Sequence, residues 1–364
     1  MGPLLKEIRR NPLLWLLAFV PAVFIVKGAA PTSHTLHFAV AIFAIVPLAA
    51  LLSHATESVA AKTGDAVGGL LNATLGNLTE LMIALTALRA GEYMLVKASI
   101  AGAIVTNTLF MLGGSFLLGG LKHRQQEFNP ATARFQSLLL FLATIALLVP
   151  SAMSVADATP PTSMLQTLSV CLAVVLVVTY ALGLLFSLKT HKEVFKSVGE
   201  GEEHGSPWPM GLALATLAAV TVVVALVSEI FVESVGEAAK TLGMTPAFVG
   251  FIVVALVGAA AEMTAAFSGA RKNRMDLSVS IALGSSAQIA LFVAPVLVLA
   301  SYALGPAPMD LIFWPGAVVM MLLAAVTATF VASTGRAAWF SGVLLLGVYL
   351  VFAITLFLLP PKGA

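Results

Sequence analysis

The sequence contains little charge and almost no cysteine. Of its 364 residues, 10% are charged, whereas a soluble globular domain carries about a quarter. The single cysteine, Cys171, excludes an intrachain disulfide and a thiolate metal cluster. The formal net charge is +2, and the basic residues are scattered through the connections, so the composition gives no indication of nucleic-acid binding.

Apolar sequence is abundant: hydrophobic residues make up 59% of the chain, and the mean hydropathy is +1.01. Runs long enough to cross roughly 30 Å of hydrocarbon as helices lie at 13–30, 36–60, 67–89, 94–119, 134–153, 163–188, 209–235, 246–269, 276–303, 311–333 and 337–359. The sequence therefore predicts an all-α polytopic membrane protein with 11 transmembrane helices, whose first partner is the lipid bilayer.

The basic residues predict how these helices are oriented. Fourteen of the Lys and Arg residues lie in connections on one side of the predicted membrane and five on the other. Because cytosolic connections carry the excess of basic residues, we expect a cytosolic N-terminus and, with an odd number of spans, an outside C-terminus. The compact connections favour the prokaryotic cell (inner) membrane.

A fixed offset relates the two halves of the chain. Glu80 and Glu262 each lie deep in an apolar run and are 182 positions apart. The same offset relates five further pairs: Gly68 and Gly250, Gly76 and Gly258, Gly102 and Gly284, Leu109 and Leu291, Phe110 and Phe292. The chain therefore contains a duplicated unit.

The duplication divides the chain into four segments. We expect an extra N-terminal transmembrane helix at 1–35, a five-helix repeat at 36–188, an acidic cytosolic connection at 189–208 and a second five-helix repeat at 209–364. Because five is odd, the second repeat must be inverted relative to the first. Inverted repeats are typical of secondary transporters, whose binding site lies near the bilayer midplane between the repeats.

The duplicated glutamates are the first candidates for function, because a charged side chain near the bilayer centre costs roughly 2.5–3.5 kcal/mol on insertion scales. Asn77 shares a helix face with Glu80, and Gly76 and Gly258 permit close approach of another helix. The helices that follow add polar side chains at Thr106, Asn107, Ser285 and Gln288. Calcium prefers carboxylate, amide and backbone oxygens, so Glu80, Glu262, Asn77 and Gln288 are predicted to bind the metal ion.

Protons would compete with that cation. Two carboxylates buried together repel each other and lose hydration, and both effects favour protonation. A site that is either protonated or metallated predicts an antiporter in which Ca²⁺ and H⁺ are the transported ions and no cofactor is needed.

Glu57, Glu229 and Glu233 are candidates for lining vestibules or relaying protons, with solvation of helix ends as an equal alternative. The acidic connection could gather cations or be an ordinary linker.

The motifs resemble the cation/Ca²⁺ exchanger superfamily, and in particular its H⁺/Ca²⁺ (CAX) branch. The similar segments are Gly76-Asn77-Leu78-Thr79-Glu80-Leu81 and the run from Gly284 to Pro295. The resemblance implies the inverted-repeat fold, export of cytosolic Ca²⁺ in exchange for H⁺, and a role for Glu80 and Glu262 as the shared carboxylates. Two departures lie in the second half, where Ala259 and Met263 stand in place of the usual Asn and His. A third is Thr106, where Gly is usual.

Other functions stay open from the sequence alone. The nearest alternative is an exchanger coupled to Na⁺ or one for another divalent cation. A passive channel would not need a site that balances protons against metal. An intramembrane enzyme using the two carboxylates for acid–base work would want a nucleophile, and none accompanies the glutamates, so we do not expect an enzyme. A homo-oligomer is compatible with the sequence.

Overall fold

The computed structural model describes residues 2–156, 161–195 and 208–361, and nearly all of them are helical. In the first half the α-helices are α1 (Pro3–Arg10), α2 (Phe19–Ala29), α3 (His34–Ala60), α4 (Asp65–Leu75), α5 (Leu78–Arg89), α6 (Tyr93–Val105), α7 (Leu112–His123), α8 (Pro130–Ala156) and α9 (Thr162–Leu185). Short 3₁₀ or π segments extend them at Pro12–Ala18, Thr106–Met111, Phe186–Thr190 and Lys192–Phe195.

In the second half the α-helices are α10 (Met210–Thr241), α11 (Pro246–Phe248), α12 (Ala255–Gly258), α13 (Ala260–Arg271), α14 (Met275–Gln288), α15 (Ala294–Leu304), α16 (Pro315–Ala332) and α17 (Trp339–Leu358). π-helical turns at Val249–Val254 and Ile289–Val293 join α11 to α12 and α14 to α15. The predicted acidic connection at 189–208 lies mostly outside the described residues, and with it Glu200, Glu202 and Glu203.

Among the described residues, 9 helices are long and apolar enough to cross a membrane, or up to 11 if each of two bent pairs is one span. Each predicted apolar run overlaps one of these helices or bent pairs. The prediction of a helical, multi-span membrane protein is confirmed.

Two three-residue strands accompany the helices and leave the all-α fold class unchanged. Strand β1 (Gln125–Glu127) pairs antiparallel with β2 (Arg336–Ala338), and Gln126 lies opposite Ala337. Both strands belong to short connections between helices. Their backbone N–H and C=O groups have no helix to bond within, and pairing satisfies them.

The two bent pairs have the same design. α4 and α5 are bent by 42° at Gly76 and Asn77, and the segment Pro246–Gly258 is bent by 57° against α13 at Ala259. Neither Asn77 nor Ala259 caps the following helix with its side chain. The break in the second half therefore forms without the asparagine that the first half has.

α3 and α10, the first long helices of the two halves, pack against each other. Small residues make close packing possible: Ala41, Ala44 and Ala238 are fully buried. The rings of Phe38 and Phe231 stack across this interface with centroids 5.3 Å apart.

Polar contacts between connections fall into two groups. In one group, the Trp208 N–H before α10 donates to the Ser58 hydroxyl at the end of α3. Lys122 at the end of α7 donates to the Arg271 carbonyl at the end of α13. Arg134 at the start of α8 donates to the Ser333 carbonyl after α16. In the other group, Lys27 at the end of α2 pairs with Glu233 near the end of α10. The segment between α15 and α16 makes the remaining contacts: Asp310 with Lys97 of α6, Leu311 with Ser169 of α9, and Phe313 with Ser151 of α8. We call these the first end and the second end of the bundle.

Candidate ion-binding site

Glu80 and Glu262 occupy the same place in the two bent helices. Each is the third residue of the helical segment that follows the break, in α5 and α13 respectively. Each has one carboxylate oxygen that is buried and has no hydrogen-bond partner, Oε1 in Glu80 and Oε2 in Glu262. A buried polar atom without a partner is costly, so these two oxygens are suited to meet a cation or a proton.

The position of both glutamates in a first helical turn offsets part of the cost of their charge. The start of a helix carries the positive end of the helix dipole and backbone N–H groups that have no partner within the helix. The described residues that line the two cavities at the site include no lysine or arginine. The backbone of α5 and α13 is thus the positive environment of the pair.

The two glycines at the breaks let side chains from the opposite half enter. A Cβ atom added to Gly258 would lie 2.9 Å from Cγ of Glu80. A Cβ atom added to Gly76 would lie 2.7 Å from the Asn72 carbonyl oxygen and 3.4 Å from Oε1 of Gln288. Each half therefore leaves room for a side chain of the other half, closely at Gly258 and at ordinary contact distance at Gly76.

Both glutamates line one small enclosed cavity of about 10 Å³. Its walls come from both halves and are formed in part by Ser53, Gly76, Thr79 and Gly258. A single water needs about 10–15 Å³ by this kind of measure, so the space holds one particle of that size. A cation here would be almost completely stripped of its water shell.

A much larger cavity, of about 450 Å³, reaches Glu262 from one side. It is lined by α3, α4, α8, α9 and α14, and its wall includes Glu57, Thr132 and Phe195, which lie near the first end of the bundle. Glu57 accepts a hydrogen bond of 3.2 Å from the Ser53 hydroxyl. Ser53 lines both cavities, so α3 carries a polar path from the large cavity to the carboxylate pair.

A chain of hydrogen bonds connects the amides of the site. The Asn107 amide donates to the Ser285 hydroxyl at 2.9 Å, and that hydroxyl donates to Oδ1 of Asn77 at 2.7 Å. Oδ1 has a second lone pair, but Asn77 is not among the residues that line the two cavities. Oδ1 of Asn107 and Nε2 of Gln288 are buried without a partner. Ser285 therefore links residues of both halves, and Gln288 lines the large cavity beside Glu262.

Other predicted candidates lie elsewhere. The Thr106 hydroxyl is 3.3 Å from the hydroxyl of Tyr349 and points to that residue. Glu233 forms an ion pair of 2.8 Å with Lys27 at the second end of the bundle. Glu229 is exposed one turn before it on α10, and neither glutamate lines the two cavities. The structure thus brings Glu57 to the site and leaves Glu229 and Glu233 away from it.

Sequence reasoning missed Ser53, Asn72, Gln136 and Tyr180, which line the large cavity. Two of them had a usable signal, since Ser53 precedes Glu57 by four residues and Asn72 precedes Gly76 by four, so each shares a helix face with a chosen residue. The Tyr180 hydroxyl donates to the Ala73 carbonyl at 2.7 Å. That contact ties α9 to the last turn of α4, beside the first break.

Over the described part of the chain, no three His, Cys, Asp or Glu residues cluster as a metal site. A cation between Glu80 and Glu262 would complete its shell with neutral oxygens. This set is one that a hard cation prefers.

Solved structures of a Ca²⁺/H⁺ antiporter and an H⁺/Ca²⁺ exchanger share this fold. The structure of native YfkE superimposes with a TM-score of 0.82 and 36% identity, covering 95% of this chain and 100% of that one. The crystal structure of the H⁺/Ca²⁺ exchanger CAX gives a TM-score of 0.74, covering 96% of this chain and 88% of that one. At 16% identity the second likeness concerns the fold alone.

Sequence comparison identifies the family. The family described as sodium/calcium exchanger protein matches twice, at residues 33–189 and 212–358. The Ca(2+)/H(+) antiporter of Aphanothece halophytica is 40% identical over 365 residues, covering 95% of this chain and 96% of that protein. The Ca(2+)/H(+) antiporter ChaA of Bacillus subtilis (strain 168) is 40% identical over 326 residues, covering 88% and 92%. The chain belongs to the sodium/calcium exchanger family, and the resemblance to its proton-coupled branch is confirmed.

Proposed function

We propose that this protein is a secondary antiporter that exports cytosolic Ca²⁺ in exchange for H⁺. The observation that carries the proposal is the pair of unpartnered carboxylate oxygens, on Glu80 and Glu262, from two different halves of the chain. The names of the bacterial relatives, which are Ca(2+)/H(+) antiporters, support the choice of ions.

The chemistry of exchange follows from competition for the same oxygens. With both carboxylates ionised, the site attracts a divalent cation, and Asn77, Gln288 and backbone carbonyls supply neutral oxygens. Protonation removes that attraction and releases the cation. Since metal binding displaces protons from its ligands, Ca²⁺ affinity should weaken as the pH falls.

We propose that the site faces the cytosol in this conformation. The large cavity leads from Glu262 towards the first end of the bundle. The connections at that end hold most of the Lys and Arg residues, which is typical of the cytosolic side. Glu57, exposed in the cavity wall, would meet Ca²⁺ as it enters and pass it by way of Ser53.

We further propose an eleven-helix arrangement with one extra N-terminal helix and two inverted five-helix repeats. Support comes from the contacts at the two ends of the bundle. With eleven spans, the two connections joined by each named contact are separated by an even number of membrane crossings, so they lie on the same side of the membrane. The double match to one family, at 33–189 and 212–358, also supports two related units. Glu229 and Glu233 would then lie on the outer pathway, as Glu57 lies on the inner one.

The experiment that tests the exchange imposes the two gradients separately. In proteoliposomes, a pH gradient alone should drive uptake of ⁴⁵Ca²⁺, and a sodium gradient at equal pH should not. Flux driven by sodium would favour the Na⁺-coupled alternative. Flux that runs down a calcium gradient with neither a pH nor a sodium dependence would indicate a channel and contradict the proposal.

The second half-site offers a separate prediction. Ala259 immediately precedes α13 and stands at the offset of 182 from Asn77, so Ala259→Asn adds an amide oxygen at the equivalent position. Ala259 is fully buried, and the cost of the larger side chain is about 1–3 kcal/mol if the surroundings do not adjust. We expect tighter Ca²⁺ binding with lower thermal stability, measured by calorimetric titration and by thermal unfolding. Ala259→Leu is the control, since it adds volume without an oxygen and should lower both quantities.

A further inference from the structure

The two halves of the chain share a sequence pattern but differ in conformation. We define the outer seam as the contact between α6 and the segment Pro246–Gly258. In this seam a Cβ atom on Gly102 would lie 2.1 Å from the Phe251 carbonyl oxygen, and one on Gly250 would lie 2.6 Å from Cβ of Ala98. Backbone meets backbone here, so the outer seam is closed.

The corresponding inner seam, between α14 and α4, is open. The large cavity separates these helices, and its wall includes Gly69 and Asn72 of α4 with Ser280 and Gly284 of α14. Gly284, the counterpart of Gly102, has only the flexible Gln136 side chain near its missing Cβ, with Nε2 at 3.0 Å. One seam is therefore closed where its repeat-related partner is open.

A pair of tyrosines marks this asymmetry. The Tyr180 ring packs on Phe292 at 5.8 Å, and the Tyr349 ring packs on Phe110 at 5.2 Å. Phe110 and Phe292 are 182 positions apart, whereas the tyrosines are 169 apart and share their place in the last long helix of each half, α9 and α17. Each tyrosine also reaches into the opposite half of the chain with its ring.

The hydroxyl groups of these tyrosines have different partners. Tyr180, beside the open seam, donates to the Ala73 carbonyl at 2.7 Å. The counterpart of that carbonyl, on Ala255, accepts from the Ala259 N–H at 3.1 Å. Tyr349, beside the closed seam, instead accepts from the Thr106 hydroxyl at 3.3 Å, and Thr106 corresponds to Gln288.

We propose that Tyr180 and Tyr349 are positioning residues that exchange partners when the site changes sides. In the outward-facing conformation the halves trade arrangements, so Tyr349 donates to the Ala255 carbonyl and Tyr180 contacts Gln288. Each tyrosine thus holds the break of one bent helix while the seam next to it is open. The inference rests on the proposed exchange, because it requires two conformations related by the repeat.

The proposal predicts opposite effects for two equivalent substitutions. Tyr180→Phe removes the short bond of the cytosol-facing conformation and shifts the population outward. Tyr349→Phe removes the short bond of the outward-facing conformation and shifts the population inward. Each shift should be about fivefold in the equilibrium constant, the effect of losing one ordinary hydrogen bond.

The experiment measures the solvent accessibility of one cysteine in each seam and does not require transport. In a Cys171→Ser background, Ser280→Cys reports on the inner seam and Ala98→Cys on the outer seam, at repeat-related positions. Rates of labelling by a soluble thiol reagent are measured in nanodiscs, where both faces are accessible. Ser280→Cys should label faster in Tyr349→Phe and slower in Tyr180→Phe, and Ala98→Cys should show the reverse.

Shifts in the same direction in both variants, or none in either, would overturn the proposal. A purely structural role for the hydroxyls predicts lower thermal stability without opposite labelling changes, so unfolding temperatures are measured in parallel. Opposite labelling shifts in a protein that shows no pH-driven Ca²⁺ flux would leave the tyrosine exchange standing and refute the proposed function. The two failures are therefore distinguishable.

Discussion

Replacing Glu262 by glutamine is expected to abolish coupled exchange and to weaken Ca²⁺ binding by at least about 30-fold. Removing one partner of a buried charge pair costs about 2–5 kcal/mol, and the lower limit corresponds to that factor. Glutamine keeps the shape of the side chain and its oxygen but cannot release a proton. Glu80→Gln should behave in the same way, because both residues lie in the first turn of a helix and line the same small cavity.

Calorimetric titration in buffers of different ionisation enthalpy measures affinity and proton release together. The parent protein should release about two protons on binding Ca²⁺, and each single variant about one. Glu237→Gln is the matched control, since Glu237 is an exposed acid on α10 that pairs with Lys240 at 2.7 Å; its affinity and flux should stay at the parent level. Normal pH-driven flux in Glu80→Gln or Glu262→Gln would refute the assigned site.

The second large effect concerns the glycines of the two seams. Gly102→Ala places a Cβ atom 2.1 Å from the Phe251 carbonyl oxygen, and neither backbone can move cheaply. Overpacking of this kind typically costs about 1–3 kcal/mol, and occasionally more. We expect a clear drop in the unfolding temperature, or an outer seam that no longer closes, seen as rapid labelling of Ala98→Cys.

Gly284→Ala is the repeat-related comparison. Only the flexible Gln136 side chain lies near the added atom, so this variant should fold with near-parent stability. On the proposed mechanism the inner seam must close during each cycle, and the added methyl group would then meet the backbone of α4 near Gly69. Stable protein with slowed flux is the expected result. Equal stability losses in both variants would contradict the described asymmetry of the seams.

The sequence was most informative about helices and about the carboxylate pair. A hydrocarbon layer demands long apolar helices, so runs such as 36–60 and 209–235 indicated α3 and α10. The constant offset then placed Glu80 opposite Glu262, since two inverted units share one interface. The glycines at 76 and 258 indicated where side chains of the other half would approach.

The remaining features depend on how helices that are distant in the sequence face each other. No local pattern indicates that Ser285 would bridge Asn107 and Asn77, or that Tyr180 would occupy the Ala73 carbonyl. The β1–β2 pairing joins connections that are far apart in sequence and carry no strand-like alternation. The open inner seam is likewise a property of the assembled bundle, because the two halves have similar sequences and adopt different arrangements.

The helix N-termini beside Glu80 and Glu262 have an electrical consequence. Peptide groups supply a positive field without a mobile or titratable cation. Among the described residues that line the cavities, no lysine has to be displaced or deprotonated when the cargo changes. On the proposed mechanism, one Ca²⁺ with two carboxylates and two protons with two carboxylates are both neutral. Movement of a charge across the membrane is what couples a transporter to voltage. Reorientation of either loaded form would therefore be nearly independent of the membrane potential, leaving the ion gradients alone to set the direction of exchange.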